Sequence, residues 1–312
     1  MATNKTVKPS GGDYTSLAGW EDDIEGDLTD SGIAAVVCYS LNDTTAVLID
    51  GWLTTANDRI EISVDSSAYH GGKWDGTKYN LINNTSRPFK VVEEYVRVTG
   101  LQIKGTYDYG QHVVNVYCVT NTSDIRFKNI IAWEAAASGT SAGIAVGGGT
   151  VQIINSLAYG GLVSTSSAFY IYYGATAPIV SVLNGVGCAH VGYGVYRTSG
   201  TVVVKNCYCG GNGVADYNGT MTMTTCASSD STGSAGLQTI AYSASTGAKF
   251  VNISAGTEDF HIQSGSSLID VGTDLNATFT DDIDGDTRSV PWDIGVDEYV
   301  SGIFVPLTGV CG

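Results

Sequence analysis

The sequence predicts an all-β, single-domain right-handed parallel β-helix, and three observations carry that prediction. The first is a repeat. Six segments superpose: VRVTGLQIKG from Val96, IRFKNIIAWE from Ile125, VQIINSLAYG from Val151, VSVLNGVGCA from Val180, VVVKNCYCGG from Val202 and MTMTTCASSD from Met221. Their starts lie 29, 26, 29, 22 and 19 residues apart, a spacing at which each unit adds one turn to a solenoid. The second is that every segment opens with apolar residues at alternate positions, the period of a strand. The third is the residue at the fifth position, which is Gly100, Asn129, Asn155, Asn184, Asn206 and Thr225 in turn. Gly and Asn tolerate the left-handed backbone of a sharp corner. Asn in successive coils also bonds its amide to the coils above and below. A polar binding strip is the alternative reading of this column.

Composition agrees. Forty Gly against five Pro in 312 residues suit many short strands and tight corners. One elongated domain is expected, because each coil needs its neighbours to bury its inner face. No apolar run has the length of a membrane span. Fifteen basic residues against thirty-one acidic ones give a net charge of −16, which disfavours nucleic acid and anionic lipid as partners. The seven cysteines form no metal-binding cluster. Cys207 and Cys226 share one offset in adjacent repeats, which stacks them about 4.8 Å apart. A disulfide and a pair of reduced, inward-facing thiols both fit that spacing, and buried free Cys behaves as a small hydrophobe.

Taken in order, residues 1–32 read as a polar N-terminal segment and a capping helix, residues 33–248 as coils, and residues 249–312 as final coils with an irregular C-terminal cap. Leu17, Trp20, Ile24 and Leu28 fall at helical spacing behind Thr15 or Ser16 as cap. A helix there closes the open end of the solenoid, with Trp20 as the plug over unpaired strand edges. Ile33 to Val64 returns to the strand pattern. The polar, aromatic stretch SSAYHGGKWDGTKYNLINNTSRP is expected as a loop or extended corner. The opening MATNKTVKPSGGDYTSL has no basic stretch followed by an apolar one, so no secretory signal is expected.

After Asp230 the period loosens. Phe250, Asn252, Asp259, Phe260, His261, Ser267, Ile269, Asp270 and Gly272 form the phrase F-x-N … DFH … S-x-I-D-x-G. Asp282, Asp284, Gly285, Arg288, Asp293, Ile294, Gly295 and Glu298 form D-x-D-G-x-x-R … DIG-x-x-E. These phrases, over about the last fifth of the chain, resemble the C-terminal signature of bacterial and phage parallel β-helix repeat proteins built like pectate lyases. The opening SGGDYTSLAGWE also resembles the start of such proteins. The resemblance implies the fold. The family includes lyases, hydrolases, adhesins and phage spikes, so it implies no single activity.

Three groups of residues are candidates for chemistry. Asp282, Asp284 and Asp286 place carboxylates at alternate positions, as a hard cation such as Ca²⁺ requires. The competing reading is a tight Asp-Gly turn whose carboxylates cap backbone amides while Arg288 pairs with one of them. Tyr107, Tyr109, Tyr170, Tyr172, Tyr173, Tyr193 and Tyr196 lie in or beside the excursions from the repeat, where a solenoid concentrates binding. Tyrosine joins a flat apolar ring to a polar tip, which suits sugars or a protein interface. His190 lies two residues from Cys188; a Cys/His nucleophile pair competes there with an exposed corner histidine.

No catalytic constellation is legible. The coil cations Arg97, Lys104, Arg126, Lys128, Arg197 and Lys205 stand in no lyase motif, and Asp108, Asp124, Glu134 and Asp216 are scattered. The expected function is therefore a virion surface protein of a phage, a spike, fibre or capsid-decoration component that attaches to other virion proteins or host glycans, as a homotrimer in the manner of β-helix spikes. A secreted polysaccharide lyase or glycoside hydrolase is the alternative, and a bacterial β-helix adhesin a further one.

Overall fold

A computed structural model describes residues 3–29, 31–106, 112–135 and 139–301. The chain winds as the expected right-handed parallel β-helix. One coil illustrates the path. Asp124–Lys128 runs in the first sheet, Asn129 turns the corner, Ile131–Glu134 runs in the second sheet and Ala142–Val146 in the third. Thr150–Ile154 then returns to the first sheet. Among the described residues the first, second and third sheets hold nine, eight and seven parallel strands.

The repeat read from the sequence is the pairing register itself. Val96 lies opposite Ile125, Ile125 opposite Val151, Val151 opposite Val180 and Val180 opposite Val202. The alternate positions Val98, Phe127, Ile153, Val182 and Val204 point into the core and are buried. At the corner, Asn129, Asn155, Asn184, Asn206 and Thr225 all have φ between 46° and 55°, and Gly100 has φ 80°. An L-residue pays roughly 1 kcal/mol or more for that backbone, least for Gly and Asn.

The Asn column does more than join coils. Asn206 Nδ2 donates to Asn184 Oδ1 at 3.2 Å, a coil-to-coil bond. Most of its other bonds reach a strap formed by residues 268–298. Asn206 Nδ2 donates to Thr273 O at 2.7 Å, Asn184 Nδ2 to Asp293 O at 3.1 Å and Gly295 O at 2.9 Å, and Asn155 Nδ2 to Asp281 O at 2.7 Å. The chain leaves the coil path after Ser228. Where further coils were expected, Phe250–Asn252 and Asp259–Ile262 pair antiparallel instead.

This C-terminal segment explains the second sheet. Leu157–Tyr159, Val186–Cys188 and Tyr208–Gly210 are buried at every position. Their outward side chains Leu157, Tyr159, Val186 and Tyr208 pack beneath Phe250, Phe260, Leu268 and Ile294. A sheet covered on both faces reads as a continuous apolar run, not as alternation.

At the N-terminus the helix Leu17–Ile24 is capped by Ser16, whose Oγ accepts from Gly19 N at 3.1 Å. Trp20 is fully buried as the plug. Residues 1–14, expected to be merely polar, contribute the strand Thr3–Val7 to the first sheet, paired with Ala34–Cys38. Its edge is closed by Asp13 Oδ2, which accepts from Thr6 N at 2.8 Å. An edge strand needs polar residues on its free side, which hides it from a search for apolar alternation. The thiols of Cys207 and Cys226 are free and buried, each sulfur set against carbonyl oxygens.

Two consequences can be measured. Asn184→Ala loses two bonds to the strap and one to Asn206 and strains a left-handed backbone, a cost of about 3 kcal/mol in urea unfolding. Asn184→Gly keeps the backbone and should recover about 1 kcal/mol of that; equal costs would remove the corner argument. The second concerns Glu21, which is buried and accepts from Trp52 Nε1 at 3.0 Å and Asp50 N at 3.1 Å. Burial outweighs these bonds and raises its carboxyl from 4.5 to about 7. A raised acid contributes its full stability below its unfolded value and loses it as pH rises through its folded value. Glu21→Gln should therefore raise Tm by about 2–4 °C at pH 8 and leave it unchanged near pH 4.5.

Candidate functional site

The outer face of the third sheet gathers four of the seven candidate tyrosines. Its strands Ser167–Ile171 and Tyr193–Arg197 set Tyr170 directly opposite Tyr196. Their rings stack at 5.4 Å and 15° between planes. Tyr172 extends the stack beyond Tyr170 at 5.0 Å, and Tyr193 extends it beyond Tyr196 at 4.3 Å. His112 abuts this end, 6.0 Å from Tyr170 and 5.8 Å from Tyr172. Gly147 makes the geometry possible, since a Cβ there would lie 2.6 Å from Tyr172 Cζ. Tyr172 leans across it to accept from Asn115 Nδ2 at 3.2 Å. Because the rings stack on one another, the strip presents chiefly ring edges and hydroxyls.

Beside the strip lies a group of polar atoms without partners. Arg87 Nε, His112 Nδ1 and Asn115 Oδ1 are buried and make no hydrogen bond. Val114 lies opposite Phe89, so Arg87 and His112, each two residues earlier, fall at one register position on adjacent coils. Burial and the charge of Arg87 lower the His112 imidazole to about 4, so it is neutral at ordinary pH. Arg87 is the one arginine among the described residues with neither ion pair nor hydrogen bond; the other five each hold an acceptor. Arg87 and Lys90 line a depression of about 230 Å³ with Leu48 as an apolar wall. A buried donor or acceptor left unmet costs about 1–3 kcal/mol, and of these three residues only Arg87 lines the depression.

The remaining candidates lie elsewhere. Tyr173 is exposed and outside the stack, and Tyr107 and Tyr109 lie outside the described residues. Asp282, Asp284 and Asp286 do not converge as a ligand set. Asp282 is fully buried, and its Oδ1 accepts from the amides of Asp284 and Asp286, both at 2.9 Å. Asp284 instead accepts from His261 Nε2 at 2.8 Å, and Asp286 is exposed. The Asp-Gly turn reading thus describes the geometry, with one correction: Arg288 pairs with Glu298 at 3.1 Å, not with an aspartate of the turn. Asp284 belongs to a network in which His261 also bonds Asp259, and Lys73 meets Asp259 at 3.1 Å. Burial opposes charge on His261, but the two carboxylates prevail and hold it up at about 10.

His190 is not an exposed corner histidine. It is buried, with Nδ1 2.9 Å from Cys188 O and Nε2 3.4 Å from Glu134 Oε2. The contact is to the cysteine carbonyl, not the thiol, so no nucleophile pair forms. Arg87, Lys90, His112 and Asn115 were missed because they lie in or just before strands of only three residues, Phe89–Val91 and Val114–Val116. The usable signal was a basic pair, Arg87 and Lys90, in a stretch free of acids.

No protein-family model and no curated protein matches this chain. Among solved structures, the crystal structure of pectate lyase Pel9A is similar at 14% identity and a TM-score of 0.39, covering 96% of this chain and 97% of that one. The fold assignment rests on the sheet pairing described above.

Arg87→Met, which removes an unmet buried donor, should leave stability no lower than the parent's and raise it by up to about 1–3 kcal/mol. Arg288→Met, which strands Glu298, should cost about 3–5 kcal/mol. Urea unfolding of the two variants checks both figures.

Proposed function

We propose that this protein is an attachment component of a phage virion surface, a spike, fibre or capsid-decoration protein, and that the outer face of its third sheet holds a glycan. The observation that carries this reading is the set of unmet polar atoms, Arg87 Nε, His112 Nδ1 and Asn115 Oδ1, beside a rigid row of tyrosine hydroxyls. Stacked rings and strand-borne side chains are pre-organised, so binding orders little and retains more of its contact energy. A solenoid supplies the rigid rod on which such a face is displayed. Attachment to other virion proteins, as a trimer, belongs to the same proposal.

The test is a glycan array probed with the intact protein and with Arg87→Gln and Asn115→Ala, alongside mass spectrometry of purified particles from the source. Retention of a defined glycan set by the parent, at least tenfold weaker in both variants, is expected. No retained glycan, or absence of the protein from particles, overturns the proposal. New reducing ends or unsaturated uronate absorbance from a retained polysaccharide would replace attachment with the lyase or hydrolase reading.

A further inference from the structure

A second cleft, of about 450 Å³, opens on a different face, between the outer side of the first sheet and strap residues 278–287. Its floor carries Arg97, Arg126 and Lys128 from two adjacent strands, Tyr95–Thr99 and Asp124–Lys128. Arg97 and Arg126 stand directly opposite each other in the register. Like charges so placed destabilise a sheet. One carboxylate serves both: Asp124 bonds Arg97 and accepts from Arg126 Nε at 3.0 Å and Nη2 at 2.9 Å. Lys128 meets Asp281 of the strap at 2.6 Å. The lining itself holds three cations and one carboxylate, Asp281, on a chain whose net charge is −16.

The rest of the lining suits a polar ligand with one apolar side. The hydroxyls of Thr99, Thr278, Thr280 and Thr287 line the cleft and make no hydrogen bond among the described residues. Ile154 and Phe279 supply an apolar wall, fixed by packing against Leu183 and Trp292. The Arg126 side chain is 47% exposed and free to turn from Asp124 to an incoming group. Guanidinium is the planar fork that recognises sulfate, phosphate and carboxylate.

We propose that this cleft is a second ligand site, which takes a sugar-sized ligand bearing an oxyanion, the oxyanion on Arg126 and Lys128 and the ring against Phe279. The volume lies within the range of small-ligand sites, and nothing in the site depends on the third-sheet face. Calorimetry tests it with glucose 6-sulfate, glucose 6-phosphate and glucuronate, against glucose and inorganic sulfate at matched ionic strength. The parent, Arg126→Gln, Lys128→Gln and Arg87→Gln are compared, each with its melting temperature.

At least one charged sugar should bind saturably. Its affinity should fall at least tenfold in Arg126→Gln and Lys128→Gln and stay unchanged in Arg87→Gln. The half-exposed Arg126 makes a folded variant the expected outcome, and Lys128→Gln supplies a second route. No saturable binding of any charged sugar, or equal affinity in Arg126→Gln and the parent, overturns the site. Inorganic sulfate binding as tightly as the charged sugars overturns the sugar-sized ligand. Loss of binding in Arg87→Gln instead would move the ligand to the third-sheet face.

Discussion

The structure depends on one constraint: in the six coils whose first-sheet strands run from Tyr95–Thr99 to Thr222–Thr224, the chain passes through a left-handed conformation at the corner between the first and second sheets. Asn meets that constraint at four successive corners, with φ from 46° to 55°, and its amide remains free to bond. Because these amides point out of the solenoid, they offer a ladder of donors to whatever lies over the corner. The strap takes up those of Asn155, Asn184 and Asn206. The inner face of each coil is held by stacked Val and Ile, and the outer face of the second sheet by the aromatic underside of the C-terminal segment. One column of residues thus ties the coils to their cover.

That arrangement assigns roles to the faces. The second sheet is covered from Leu157–Tyr159 onward, and the strap reaches round the corner to shield part of the first through Ile154, Leu183, Phe279 and Trp292. The third sheet carries no strap among the described residues. There the outward residues change from small Ala145 and Gly147 to stacked tyrosines, and buried polar atoms go unmet. Arg87 Nε, His112 Nδ1 and Asn115 Oδ1 are unpaired and close together there, and buried polar groups are ordinarily paired, which is the ground for proposing that face as the binding face.

How much was legible follows from the same physics. From Tyr95 onward the first sheet was readable residue by residue, because its strands alternate apolar residues inward and end on a corner residue of distinctive type; its edge strand Thr3–Val7 was not. The second sheet was not, because Leu157, Tyr159 and Val186 are buried outward as well as inward, which erases alternation. The tyrosines were visible as candidates, and the stack of Tyr170, Tyr172, Tyr193 and Tyr196 is where they meet. Arg87 and His112 were invisible because their proximity arises from coil register, not from sequence distance. The strap's phrases were recognisable, but its bonds to Asn206 and Asn155 span 67 and 126 residues. The Asp282–Asp286 run shows the converse hazard: carboxylates at alternate positions suggest an ion, yet Asp282 turns inward to cap the backbone of its own loop.

Native-state hydrogen exchange, read by mass spectrometry along the whole chain, tests the central claim most directly. If the corner column binds strap and coils into one cooperative unit, amides in 268–298 that bond the coils, such as those of Thr273 and Gly295, will exchange at the same slow rate as the first-sheet strands. The turn at Asp284 to Asp286 will share that protection through Asp282. Exchange of the strap within seconds while the coils stay protected would contradict the account, and would make the strap an independent appendage rather than the cover on which the corner ladder closes.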